Sequence, residues 1–307
     1  MSPRRERTMV EPAEFRSYYG RPILKEPAWK QPDVPLYLFL GGAAGASASI
    51  AALADVTGRP ELARVGRLVA SGGSLASVVA LIHDLGKPTR FLHMLRVLKP
   101  TSPLSVGSWI LSPFSGLAAV AAFSELTGGF PRIGRLAGAA AGLLGPAMCT
   151  YTAVLLADTA TPSWHEAHGT LPVLFAGSAV TSAAGAALMA VRPAETGPVV
   201  RAGLAGAVAE LVAEHHLETG LGLASEPYRT GRAGKLLKAA KVLTATGAAL
   251  SLAARRNRAA GVVAGAAYVA SGLCTRFGVY AAGVESTRDP KYVVVPQRER
   301  LERRAQE

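Results

Sequence analysis

Proton exchange near neutral pH calls for side chains that change charge there, and histidine is the one whose ordinary pKa allows it. The sequence has six: His83, His93, His165, His168, His215 and His216. Carboxylates accompany them. Glu210 and Glu214 are four residues apart and share one helical face. With Asp158 and His215 they make a candidate proton relay if they face a helix-bundle interior, and ordinary interfacial residues if they sit among lipid headgroups. His165 and His168 are three apart with Glu166 between them, but nothing supplies a clear third metal ligand. A b-type haem requires two histidines on facing helices at matching depth. His83 and His215 both lie at segment ends and no second pair exists, so no haem is expected. Cys149 and Cys274 fall within apolar segments and form no CxxC. That argues against a disulfide framework, a zinc site or an iron–sulfur cluster held by this chain alone.

The elements that position these groups are apolar. Half of the 307 residues are hydrophobic and 18% are charged, with a mean hydropathy of +0.26; an ordinary soluble domain is less apolar. A membrane-crossing helix needs roughly 20 mostly apolar residues. Eight segments qualify: Pro35–Val56, Gly66–His83, Leu104–Leu126, Leu136–Asp158, Gly169–Met189, Val199–His216, Gly234–Ala254 and Ala259–Tyr280. The predicted fold is therefore an all-α integral membrane protein of about eight transmembrane helices. The 33 glycines and many alanines suit helices that approach closely in lipid. The net charge is +12, but the basic residues stand between apolar blocks, where lipid phosphates account for them. Nucleic acid is not an expected partner.

All six histidines fall on the side holding both termini and the longer loops 84–103, 159–168 and 217–233. Asp33, Asp84, Asp158, Glu210, Glu214 and Arg276 lie on or near that side. The short loops opposite carry Arg59/Arg64, Arg132/Arg135, Arg192/Arg201 and Arg255/Arg256/Arg258. The positive-inside rule makes the short-loop face cytoplasmic and the termini extracytoplasmic in a cell inner membrane. Residues Met1–Arg7 have no apolar stretch behind them, so no cleaved secretory signal is expected. Ionisable groups at membrane depth usually mark function, and their collection at one face points to a polar cavity opening there. Tyr151 lies about two turns, or ~10 Å, inside that end of the fourth segment. Its phenol needs a hydrogen-bond partner; a quinone carbonyl or a backbone carbonyl would serve.

The flanks are polar. Residues 1–34 interleave prolines with Phe15, Tyr18, Tyr19 and Trp29, and residues 285–307 are strongly charged. Each is either a disordered tail or a segment that orders on a partner. Segment 89–99 alternates Phe91, Leu92, Met94, Leu95 and Leu98 with Arg90, His93 and Arg96. It is expected to lie as an interfacial amphipathic helix between Pro88 and Pro100.

Here the sequence resembles a known family. His83-Asp84-Leu85-Gly86-Lys87-Pro88-Thr89-Arg90-Phe91, then Lys99-Pro100-Thr101-Ser102-Pro103 and Gly107-Ser108-Trp109, are similar to the NrfD/PsrC membrane subunits of polysulfide reductase, nitrite reductase and related complexes. Leu40-Gly41-Gly42-Ala43-Ala44-Gly45 after Pro35-Leu36-Tyr37 resembles the first helix of that family, and Tyr151 to Trp164 its fourth. The agreement spans roughly residues 29–190; beyond it, the helix count and the closing Asp289-Pro290-Lys291-Tyr292 run carry the likeness.

The resemblance implies two four-helix bundles, residues 35–158 and 159–284, without haem. It implies menaquinone bound near the termini-side surface, a four-cluster ferredoxin-like iron–sulfur subunit beside it and a molybdopterin catalytic subunit completing the complex. Tyr37 (or Asp33) and Tyr151 match the positions that contact the quinone. The sequence departs from the pattern at Ala153, where a glycine often stands, and near the start of the first helix, where the polysulfide reductase subunit has His and Asn and this sequence has Val34 and Tyr37. On this reading Asp33, His83 and Asp84 exchange protons, Arg90 and Lys87 face a reduced quinone or the partner, and Lys87, His93, Arg96 and Trp29 dock it. The chain would bind quinone and pass electrons, without being a complete enzyme alone. Two other classes stay open: an anchor without a working quinone site, and a small-solute or proton transporter.

Overall fold

Backbone polar groups have no partner in hydrocarbon, so each apolar segment must satisfy its own as a helix. The computed structural model, which describes residues 23–306, has twelve α-helices and no strand among those residues. They are α1 (Asp33–Val56), α2 (Pro60–Leu85), α3 (Thr89–Met94), α4 (Pro103–Thr127), α5 (Pro131–Ala157), α6 (Pro162–Glu166), α7 (Leu171–Ala190), α8 (Thr196–Thr219), α9 (Glu226–Arg229), α10 (Gly231–Ser251), α11 (Arg258–Arg288) and α12 (Lys291–Gln306). Proline opens α2, α4, α5 and α6 at their first residue, where its missing N–H costs nothing.

The long helices are α1, α2, α4, α5, α7, α8, α10 and α11, one for each apolar segment, and seven of them are long and apolar enough to cross a membrane. The protein is a multi-pass, all-helical membrane protein. The exception is α10, whose Lys235, Lys238 and Lys241 stand three apart along one side. Its other side, with Leu237, Ala240, Thr244 and Gly247, is buried against its neighbours. Helices α1, α2, α4 and α5 pack as one group of four and α7, α8, α10 and α11 as another, joined through α1, α5 and α7.

The usual division between inside and outside is partly inverted. Ser74, Ser77, Thr152, Thr181, Thr244, Ser271 and Thr275 are completely buried, while Leu143, Val79, Phe123, Val208, Val212 and Val242 are exposed around the outside. Lipid is as apolar as leucine, so large side chains gain little by turning inward, and small residues set how closely helices approach. The crossing of α1 and α5 illustrates this. A Cβ on Gly45 would lie 2.6 Å from the Cβ of Met148 and 2.7 Å from the carbonyl oxygen of Gly145.

Three features differ from the sequence reading. The amphipathic helix expected across 89–99 is only the six residues of α3. Ser105 accepts from the Lys99 N–H (3.0 Å) and donates to the Val97 carbonyl (3.1 Å), folding the remainder into a turn. The last long helix continues beyond Tyr280 to Arg288 because its polar end still packs on neighbours. The C-terminal stretch forms α12, whose Tyr292 is buried and whose Lys291 pairs with Glu226 at 2.9 Å. Phe15, Tyr18 and Tyr19 lie outside the described residues.

Candidate functional site

Tyr37 enters from the first turns of α1 and Tyr151 from α5. Both are buried, at 4% and 7% exposure. Their phenol oxygens share a hydrogen bond, with the rings edge-on and centroids 6.5 Å apart. Two features set this geometry. The Tyr151 ring lies on bare backbone of α4: a Cβ on Gly107 would come within 2.6 Å of it. Ser77 of α2 donates to the Tyr37 carbonyl at 3.1 Å, fixing α1 against α2. Two hydroxyls hold two protons, and the bond between them uses one. A buried hydroxyl without an acceptor is costly, and the second proton of the pair is left without an acceptor among the described residues.

One turn of α1 above Tyr37 stands Asp33, ~6 Å along the axis. Its Oδ2 lies 2.7 Å from Nδ1 of His83, the last turn of α2. The His83 side chain is 75% exposed and that of Asp33 13%, so the pair runs from the interior to water. Asp84 accepts the Lys30 N–H at 2.8 Å. Arg90 is exposed and donates to the Leu85 carbonyl (3.0 Å). Lys87, His93 and Arg96 are exposed along the same loop.

The segment before α1 is strapped across this end. Trp29 stacks on Trp164 (5.8 Å, 24°), and its carbonyl accepts from the Tyr280 hydroxyl at 2.6 Å. Glu26 pairs with Arg288 at 2.8 Å. Trp164 is fully buried, donating from Nε1 to the Val279 carbonyl (2.8 Å). A cleft of about 360 Å³ opens between the strap and α10 and α11, lined by Glu26, Trp29, Arg232, Tyr280, Glu285 and Arg288. Sequence reasoning placed Trp29 at this end but missed its partners Trp164 and Tyr280. Their signal was available: aromatic residues with polar tips at apolar-segment ends commonly bond a carbonyl there.

The second group of helices has its own buried polar core. Glu210 is fully buried. Its Oε1 lies 2.9 Å from the Thr275 hydroxyl, and its Oε2 3.1 and 3.3 Å from those of Thr181 and Thr244. Glu214 is 2% exposed. Arg276 is 1% exposed. It donates to the Phe175 carbonyl at 2.9 Å and the Leu38 carbonyl at 3.4 Å, and its guanidinium lies 3.8 Å over the Phe175 ring. Of the four relay candidates, the fold turns Glu210 and Glu214 inward and leaves Asp158 and His215 exposed. His165 and His168 turn Nδ1 toward the Ala157 and His165 carbonyls at 3.1 and 3.0 Å. Among the described residues no group of three or more His, Cys, Asp or Glu side chains converges.

The site thus combines a buried phenol pair, an acid–imidazole pair leading to water and a basic loop beside them. No curated protein matches the sequence. The family model described as polysulphide reductase, NrfD, matches residues 26–197, more than half of the chain. The match takes in the strap, the phenol pair, the Asp33–His83 pair and the loop carrying Lys87, Arg90, His93 and Arg96. The chain belongs to the polysulphide reductase NrfD family.

Proposed function

We propose that this chain binds menaquinone or menaquinol with the head group against Tyr37 and Tyr151, and exchanges electrons with a four-cluster ferredoxin-like iron–sulfur subunit docked at the strapped end. NrfD proteins are membrane subunits of quinone-linked oxidoreductase complexes. In the proposed complex a molybdopterin subunit carries the catalytic centre and the strapped end is extracytoplasmic.

The observation that carries the reading is the phenol pair with one proton to give. A quinone carbonyl oxygen is an acceptor of the right kind for a buried O–H. A bound menaquinone supplies two-electron, two-proton redox chemistry. The chain's own residues do the rest. Tyr151 and Tyr37 orient the carbonyl by hydrogen bonding. Asp33 and His83 pass protons between that level and water, the usual work of a carboxylate–imidazole pair. Asp84 holds the strap through Lys30 at the rim of the site. Lys87, Arg90, His93 and Arg96 present positive charge to an acidic partner surface, which speeds association more than it adds affinity.

The test is purification of the intact complex from membranes, followed by quinone-dependent turnover. The expected result is a stoichiometric iron–sulfur partner, bound menaquinone, and at least about a tenfold loss of turnover in Tyr151→Phe, the equivalent of ~1.4 kcal/mol of lost stabilisation, with membrane insertion intact. A partner without quinone would make the chain an anchor. A solitary protein that moves a solute would make it a transporter.

A further inference from the structure

We infer that the second group of helices carries an exchangeable proton on Glu214, reached from the strapped end past Glu218 and Lys241. The inference rests on side chains of α8, α10 and α11 and stands whether or not quinone binds at the phenols.

Glu210, Glu214 and Glu218 are spaced four apart on α8 and lie on one face, each ~6 Å from the next. Their surroundings differ sharply. Glu210, the innermost, has hydroxyls of α7, α10 and α11 on its oxygens and interacts with the Arg276 charge. Glu218, the outermost, is bonded to Lys241 of α10 at 2.8 Å, and both side chains are partly exposed, at 19% and 36%. Glu214 lies between them. It is 2% exposed, and among the described residues neither carboxyl oxygen has a hydrogen-bond partner.

Charge accounting completes the argument. Lys241 is paired with Glu218, while Arg276, bonded to backbone carbonyls, acts on Glu210 only through space. The groups acting on Glu214 are those same two carboxylates and Lys241. An ionised Glu214 would be a buried anion with no donor, one turn from two other carboxylates. Such a group takes up a proton instead. Its neighbour toward the surface is a partly exposed ion pair, so the proton has a short route to water. Exchange moves one proton between the Glu214 carboxyl and water at that mouth, and no electron moves. At the inner end Arg276 bonds the Leu38 carbonyl, next to Tyr37 on α1, so the line of polar groups ends against the helix that carries the phenol.

Infrared spectroscopy of the purified full-length chain in detergent tests this without any redox partner. The expected result is a protonated-carboxyl C=O band that shifts on transfer to D₂O and is missing from Glu214→Gln, with Glu218→Gln retaining the band but shifting several-fold more slowly. No such band, a band that Glu214→Gln leaves intact, or a band that never shifts would overturn the proposal. An unaltered rate in Glu218→Gln would overturn the assigned route. Should Glu214→Gln fail to fold, labelling of the wild type with dicyclohexylcarbodiimide and peptide mass analysis must find the adduct on Glu214; an adduct elsewhere has the same force against it.

Discussion

A single atom decides whether the phenol pair can form. The Tyr151 ring needs α4 to pass with no Cβ at position 107, since one there would meet the ring at 2.6 Å. Gly107→Ala is therefore expected to push the ring off its seat and destabilise the protein by about 1–3 kcal/mol, the usual cost of overpacking. Thermal unfolding in detergent checks the stability, and the same variant should lose quinone turnover as Tyr151→Phe does. Unchanged unfolding would show that the ring has room to move. Tyr151 was legible in the sequence because a phenol two turns inside an apolar segment must bond something. Its partner was less so. Tyr37 entered the reading through family likeness, and only packing reveals that residues 114 apart in sequence meet. The inward aim of Glu214 and the outward aim of its neighbour His215 were equally hidden, since helical phase against unseen neighbours sets them.

At the level of elements, hydropathy located every long helix, because lipid leaves such segments one conformation. It failed where polarity and helicity part company. Segment Gly234–Ala254 does form α10, but its lysines leave it too polar to count with the seven crossing helices although its other side is buried, and the charge of α12 hides a helix that docks through Tyr292 and Lys291. The Glu226 carboxylate beside Lys291 holds its ammonium well above the ordinary lysine range. A raised pKa stabilises fully below the unfolded value, about 10.4, and is lost only as pH rises through the folded one. Docking of α12 should thus be constant from neutral pH to about pH 10 and weaken above it. Glu226→Gln should weaken it already at neutral pH. A half-exposed pair is worth ~1 kcal/mol or less, so the change to read is a few-fold in amide exchange across residues 291–304, corrected for intrinsic rates. Protection that declines well below pH ~10 in the wild type would contradict the pairing.

Across the whole molecule, titratable side chains cluster toward one end, in two places: the phenol and Asp33–His83 system between α1, α2 and α5, and the carboxylate line of α8. The strap ties the two halves at that end, with Trp29 on Trp164 and Tyr280, and Glu26 on Arg288. A partner docked there would cover both mouths. In the proposed function a quinone head group lies against Tyr37 and Tyr151. Photo-crosslinking of the purified complex with an azido-menaquinone, followed by peptide mapping, tests this most directly. The account expects adducts on the peptides bearing Tyr37 and Tyr151, abolished by excess unlabelled menaquinone and reduced in Tyr151→Phe. Adducts confined to the outer apolar faces or to α8, α10 and α11, or labelling that unlabelled menaquinone leaves unchanged, would contradict it.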